Sequence, residues 1–378
     1  MAELDTAKGD GPSTVQAPPL GTRIKYASIA FMIQNFIVAP VLFMRAIKDY
    51  VAPAEIRADL VKKYPCRSHL PIRIFFPKSY DRNSGQKLPT MFTIHGGGFV
   101  LGTPEDTDRW NYLFASKHNM LVVALNYAKA PSNPFPGPVH DIEELLCSAM
   151  ADSSLPIDPD RVALAGWSAG GNLTLAAAQL ETVRSRIKAA VPLYPVLDFS
   201  TTHEVKTHLR RYKPELGGFR ANEKDLLLRL AAVFDWAYLP TGQSTKDPLL
   251  SPVYVASEAL PDNIFVVGCE LDLLSHEAWR LASRLASRPV PSMDEPVGRK
   301  EAAEKGELIL DDERFHFEET SDGKRYRWLL VPDTIHGFDQ GIERLVRGDT
   351  TLLEDARVKT DKTISIIGDW LLSGPLKP

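Results

Sequence analysis

The sequence predicts an α/β fold, with a mostly parallel central sheet flanked by helices and a helical cap. Three observations carry that expectation. From Leu70 onward, short β-branched apolar runs alternate with helical stretches, the pattern of parallel strands buried on both faces. One run, 162–165, ends in Gly166-Trp167-Ser168-Ala169-Gly170 and continues into a helix-forming stretch to Leu180. Another, 90–94, ends in His95-Gly96-Gly97-Gly98-Phe99.

The expected strands are 72–76, 90–94, 121–126, 162–165, 190–193, 264–268 and 326–331. Residues 1–21, rich in Pro, Gly, Ser and charge, read as a disordered tail. Residues 22–69 form an N-terminal cap segment containing the apolar stretch 26–47, and 70–200 the first part of the core. A cap insertion follows at 201–251, where Leu226, Leu227, Leu228, Leu230, Ala231, Phe234 and Trp236 give a broad apolar surface. The second part of the core, 252–378, carries a charged excursion at 289–324 that reads as solvated surface or a partner-binding arm.

A net charge of -4 over 378 residues leaves no basic field for nucleic acid. The three cysteines, Cys66, Cys147 and Cys269, have no metal-ligand spacing and read as buried thiols. They suit an intracellular, cytoplasmic protein. Asn172-Leu173-Thr174 matches a glycosylation acceptor but falls on a helix expected to be buried.

Between a strand and a helix, Gly-x-Ser-x-Gly has a mechanical meaning. The chain turns sharply, Ser168 is held in a strained conformation at the strand's C-terminal edge, and the helix N-terminus faces any oxyanion formed there. Consecutive glycines after a strand let backbone N–H groups point into a cavity, so Gly97 and Gly98, with the amide of Ala169, are the expected oxyanion donors. His95 reads as a ring that braces this loop.

A serine hydroxyl needs a base, and the base needs an orienting acid. In folds built on this strand–turn–helix element the chain order is nucleophile, acid, histidine. His336 follows the last strong strand and is the expected base. Asp272, just past 264–268, is the first choice of acid, with Glu270 and Glu277 as alternatives.

With these blocks in hand, the chain from about Leu70 to its end resembles the hormone-sensitive-lipase-like, fold-3 group of α/β hydrolases, fungal and bacterial esterases among them. The likeness rests on the two motifs above, on Tyr127-Ala128-Lys129-Ala130-Pro131 with Pro134-Phe135-Pro136, on Asp247-Pro248 with Ser251-Pro252, and on Asp272 with Glu277. It implies the same three site residues and oxyanion donors, no metal or cofactor, and a cap made by the N-terminus and an insertion. Two departures stand out: Trp167 occupies a position often acidic in that group, and Ser132 replaces a usual Glu. Trp167 either walls the pocket or packs under the turn. Phe99, Phe234 and Phe36 are further expected pocket residues.

The implied activity is hydrolysis of carboxylic esters of a hydrophobic small molecule or lipid, through an acyl-enzyme on the three site residues. The same residues serve amides, lactones, thioesters or acyl transfer, and a non-catalytic receptor would lack part of the set. For 26–47 three readings compete: a cap laying Phe31, Phe36, Ile37 and Phe43 against the insertion above Ser168, an interfacial segment, or a membrane anchor. No motif encodes the oligomeric state.

Overall fold

The structure, a computed structural model, describes residues 13–52, 54–225, 227–340 and 348–378. Its strands are β1 (Leu60–Lys62), β2 (Ile72–Phe75), β3 (Leu88–Ile94), β4 (Leu121–Leu125), β5 (Ile157–Trp167), β6 (Ala189–Leu193), β7 (Asn263–Cys269), β8 (His316–Ser321) and β9 (Lys324–Val331). They form one sheet in the order β1-β2-β4-β3-β5-β6-β7-β9-β8. The run from β4 to β9 is parallel throughout, and antiparallel strands close it at both edges.

Ten α-helices are described: α1 (Leu20–Met32), α2 (Ala39–Val51), α3 (Asp108–His118), α4 (Gly137–Met150), α5 (Ala169–Gln179), α6 (Glu181–Arg184), α7 (His203–Leu209), α8 (Leu228–Tyr238), α9 (Ser275–Leu285) and α10 (Thr350–Ser373). Successive residues of a strand face opposite sides of the sheet, so each central strand feeds two cores. On β5, Val162 and Leu164 pack with residues of α4, α5 and α9. Ala163, Ala165 and Trp167 join the opposite core, with Trp110 and Phe114 of α3 and Ile367 and Trp370 of α10.

Four expectations need correction. The 289–324 excursion is not all surface, because β8 lies within it and pairs with β9. Only Phe317 of its side chains is fully buried, which leaves no apolar alternation to read. Edge strand β1 escapes notice for the same reason, with no buried residue. Of the expected tail, residues 1–12 lie outside the described residues, whereas Thr14 bridges Ser244 and α1 already begins at Leu20. Of the thiols, Cys269 is buried, but Cys66 is exposed and Cys147 half-buried, because both lie at or outside the helical layer. Leu226 falls outside the described residues, and Asn172 is buried as expected from its place on α5.

The insertion 201–251 is keyed into the body by buried ion pairs. Lys213 has no exposed surface, and its ammonium lies 2.8 Å from Glu270 and 2.6 Å from Asp333, with a third bond to the Glu301 carbonyl at 3.0 Å. Removing the cation strands two carboxylates in a dry site. Lys213→Met is therefore expected to lower the unfolding free energy by about 3–5 kcal/mol. Denaturant midpoints measure it, and a change below about 1 kcal/mol, the size of an exposed pair, would mean that water already reaches the cluster.

Candidate active site

Ser168 stands at the junction of β5 and α5 with φ 55° and ψ -118°, a backbone conformation that a non-glycine residue adopts only when its surroundings hold it there. Its N–H donates to the Leu193 carbonyl at 2.9 Å, and its carbonyl accepts from Asn172 N at 3.0 Å. The turn admits no extra atom: a Cβ on Gly170 would lie 2.1 Å from the Ile94 carbonyl oxygen.

Loops after β7 and β9 supply two more groups. His336 Nε2 lies 2.9 Å from Ser168 Oγ, and its Nδ1 lies 2.7 Å from Asp272 Oδ2. Asp272 is wholly buried, and its other oxygen accepts the Leu274 N–H at 3.0 Å. Burial by itself would lower the His336 pKa. The charge and hydrogen bond of Asp272, with Asp225 and Asp339 further off, outweigh it and raise the pKa above its ordinary value. A line of hydroxyl, imidazole and carboxylate of this kind can remove the hydroxyl proton as the oxygen attacks a carbonyl carbon.

Neither alternative acid reaches the imidazole, because both are occupied elsewhere. Glu270 is bound by Lys213 and by the N–H groups of Asp333 and Arg299. Glu277 pairs with Lys206 and accepts the Leu197 N–H at 2.6 Å.

The glycine loop lies alongside. Gly97 has φ 115°, and a Cβ there would sit 2.2 Å from the Leu101 carbonyl oxygen, so only glycine fits. Among the described residues, the N–H groups of Gly97 and Gly98 meet no acceptor. The Gly96 carbonyl is held by His95 Nδ1 at 2.7 Å and by the Tyr127 hydroxyl at 3.3 Å. A trans peptide points its N–H away from its C=O, so anchoring this oxygen fixes the direction of the Gly97 N–H.

The roles in this brace follow from what each atom can do. A carbonyl only accepts, so His95 Nδ1 carries the proton and Nε2 accepts from Lys129 Nζ at 3.2 Å. Burial first, and then the Lys129 charge, push the His95 pKa well down, which keeps the ring neutral. Burial likewise lowers the Lys129 amine to about 7.

Trp167 does not wall the pocket. Alternation along β5 sends its ring to the α3 and α10 side, where it packs edge-on against Trp110 and its Nε1 donates to Asp339 Oδ2 at 3.0 Å. Asp339 also accepts from the Tyr194 hydroxyl, and the Tyr194 ring lies 4.8 Å from that of His336. Burial raises the Asp339 carboxyl to about 6. A carboxyl therefore does sit beneath the nucleophile turn, supplied from the histidine loop through an indole. The sequence assigned no role to Asp339, Tyr194 or Asp225 and placed Lys129 only within the 127–131 block; the local signal for Asp339 was an aspartate three residues after His336.

Gly98, Phe99, Ser168, Phe199, Phe234 and Leu274 line a 70 Å³ cavity whose wall is completed by polar residues such as His203 and Lys206. Phe36 is not part of it; its ring is 62% exposed on the outer face of the N-terminal helical run. A larger cleft of 530 Å³ opens on the α3 and α10 side, between charged residues such as Arg45, Arg73 and Asp108, and Ser168 does not line it. Among the described residues no cluster suited to a metal ion occurs.

A family model described as the alpha/beta hydrolase fold matches residues 91–295. An arylesterase of Saccharolobus solfataricus is 27% identical over 228 residues, 59% of this chain and 69% of that protein. An AB hydrolase superfamily protein of Schizosaccharomyces pombe is 30% identical over 263 residues, 64% and 70% of the respective chains. An esterase of Pyrobaculum calidifontis superposes with a TM-score of 0.61 at 22% identity, over 95% of this chain and 100% of that one. A fungal esterase from Rhizomucor miehei gives 0.61 at 20% identity, over 94% and 99%. These two share the fold.

The imidazole environment fixes a pH expectation. Since Asp272 is the largest contribution raising the His336 pKa, the ring is expected to titrate above the ordinary value of about 6.5. Asp272→Asn should move the midpoint down. Imidazole NMR titration of both proteins measures this, and a wild-type midpoint below the ordinary value, or one unmoved by the substitution, would contradict the electrostatics.

Proposed function

The chain belongs to the α/β-hydrolase fold family, in its hormone-sensitive-lipase-like esterase branch, and from that premise we propose that it cleaves carboxylic esters of small hydrophobic molecules through Ser168, His336 and Asp272. The observation that carries the proposal is the hydrogen-bonded line from Ser168 Oγ through His336 to Asp272, beside N–H groups of Gly97 and Gly98 that have no acceptor among the described residues. Relatives named arylesterase and carboxylesterase support the ester as the bond broken.

In this reading Ser168 Oγ attacks the ester carbonyl carbon while His336 Nε2 takes the hydroxyl proton. The tetrahedral oxyanion is met by the amides of Gly97, Gly98 and Ala169. His336 then protonates the departing alkoxide, leaving an acyl-enzyme. Water repeats the sequence: His336 takes its proton, its oxygen attacks the acyl carbon, and Ser168 leaves with the proton returned. Asp272 orients the ring and stabilises the imidazolium without itself taking the proton.

Cavity size narrows the substrate. At 70 Å³ the space beside Ser168 falls far below the roughly 300–1,000 Å³ of pockets that enclose drug-sized ligands. It fits a short acyl group, with the alcohol part extending toward the outside. The Phe99 ring, stacked on Tyr238, and Phe234 supply apolar walls.

Two measurements test this reading. A fluorophosphonate is expected to label Ser168, and Ser168→Ala should lose on the order of 10⁶ in kcat. With p-nitrophenyl esters, kcat/KM is expected to be highest for the shortest acyl chains and to fall as the chain lengthens. Retention of more than a few per cent of turnover by Ser168→Ala would overturn the nucleophile, and a preference for long chains would overturn the short-acyl pocket.

A further inference from the structure

The helical run from Leu20 to Val51 has two unlike faces. Its inner stripe, Tyr26, Ala30, Gln34, Val38 and Leu42, recurs every four residues and is turned toward the protein. Four residues exceed one α-helical turn, so such a stripe drifts around a regular helix. The wider π-helical turn at Ile33–Val38 takes up the drift and keeps the stripe on the body. The contacts are specific. The Tyr26 ring meets Trp236 of α8 at 6.3 Å, Gln34 Nε2 donates to the carbonyls of Val100 and Ala130 at 3.1 and 2.9 Å, and Arg45 pairs with Asp106 at 2.8 Å.

The outer face is apolar and uncovered. Ile24, Phe31, Phe36, Ile37, Phe43 and Ile47 are all exposed, Phe43 by 66%. In Leu20–Lys48 the most apolar 18-residue window has a mean hydropathy of 1.9, yet only 6% of it is buried. Scattered exposed apolar side chains are ordinary, but a continuous face of large ones marks a surface that is covered in use. Against the cap expectation, Phe31, Phe36, Ile37 and Phe43 are exposed instead of buried against the insertion above Ser168, although α1 packs on α8.

Charge identifies what covers the face. The run Leu20 to Val51 carries Arg23, Lys25, Arg45 and Lys48 against one acidic residue, Asp49, in a chain whose net charge is -4. Arg23, Lys25 and Lys48 are exposed at its two ends. Apolar side chains between basic ends match the layout of a helix lying in the headgroup region of an anionic bilayer. A second copy docked on the same face would bring basic ends together, with Asp49 the one acid of the run to offset them. A spanning helix would have to leave the body, breaking the Gln34 and Arg45 contacts and carrying Gln34 and Asn35 into hydrocarbon.

We propose that the outer face of Leu20–Lys48 docks the folded protein on an anionic lipid surface, with the helical run lying in the plane of the interface. Ala231 and Phe234 of α8 line the cavity beside Ser168, and α1 packs on α8, so the docked surface adjoins the cavity. Docking needs no turnover, so its test is independent of the esterase reading.

The experiment uses the full chain with vesicles of phosphatidylcholine, with and without phosphatidylserine. The protein is expected to co-sediment with vesicles, more strongly with phosphatidylserine and less at high salt. Phe36→Glu with Ile37→Glu and Phe43→Glu should reduce the bound fraction at least about tenfold, since each large side chain left in water forfeits more than that in affinity. Unchanged circular dichroism and an unchanged thermal midpoint show that the variant is folded; should it misfold, Phe43→Glu alone is measured.

Single cysteines at Lys25→Cys and Lys48→Cys, in a Cys66→Ser, Cys147→Ser background, report orientation. Both are expected to react with an impermeant maleimide added outside the vesicles. Protection of one of them would mean a spanning helix and overturn the proposal. So would an absence of vesicle binding, with or without a stable dimer in sedimentation.

Discussion

One half-buried imidazole is surrounded by three carboxyl groups, and much of the molecule is arranged around that constraint. Asp272 touches His336 directly, Asp339 approaches through Tyr194, and Asp225 enters from the insertion. Arg210, 3.4 Å from Asp225, offsets one of the outer charges, and burial acts on both. Burial, and then the charge of Asp272, raise the Asp225 pKa, and burial raises that of Asp339. Their protons are thus easier to keep, while Asp272 holds the imidazole. Hydrogen bonds pull the other way and favour the carboxylates: Asp225 accepts the N–H groups of Leu227 and Leu273, and Asp339 accepts from Trp167 and Tyr194, but burial outweighs them.

The loops bearing Asp272 and His336 are held at their roots by a single cation. Glu270 lies two residues before Asp272 and Asp333 three before His336, and Lys213 binds both. The insertion therefore does more than cover the cavity; it sets the spacing of the two loops. A second contact works alongside, with Lys206 of α7 pairing with Glu277 of α9 and donating to the Asp198 carbonyl. Glu270 and Glu277, the two alternatives to Asp272 as the acid, are thus among the carboxylates that tie the insertion down.

A comparable division operates on the oxyanion side. The glycines supply the backbone donors, but their direction depends on a neutral His95 between the Gly96 carbonyl and Lys129. Gln34 reaches the same region from the N-terminal helical run through the carbonyls of Val100 and Ala130. The segment with the exposed apolar face is in this way connected to the loop beside Ser168.

The sequence by itself determined the features whose chemistry is local. A glycine-flanked serine between strand and helix, glycines after a strand, and an aspartate and a histidine at later strand ends are each legible because a sharp turn or a strand terminus needs those residues at those spacings. Parallel strands were readable wherever both faces are buried, while β1 and β8 were not, since edge strands with solvent on them carry little apolar signal. Tertiary structure alone decided which side of the sheet Trp167 takes and that its partner is Asp339, 172 positions away. It also decided the fate of Phe36: a helix apolar nearly all round does not encode which face it buries. That choice was made by Gln34, Tyr26 and Arg45, polar and aromatic groups whose partners exist only once the sheet, the glycine loop and α8 are assembled.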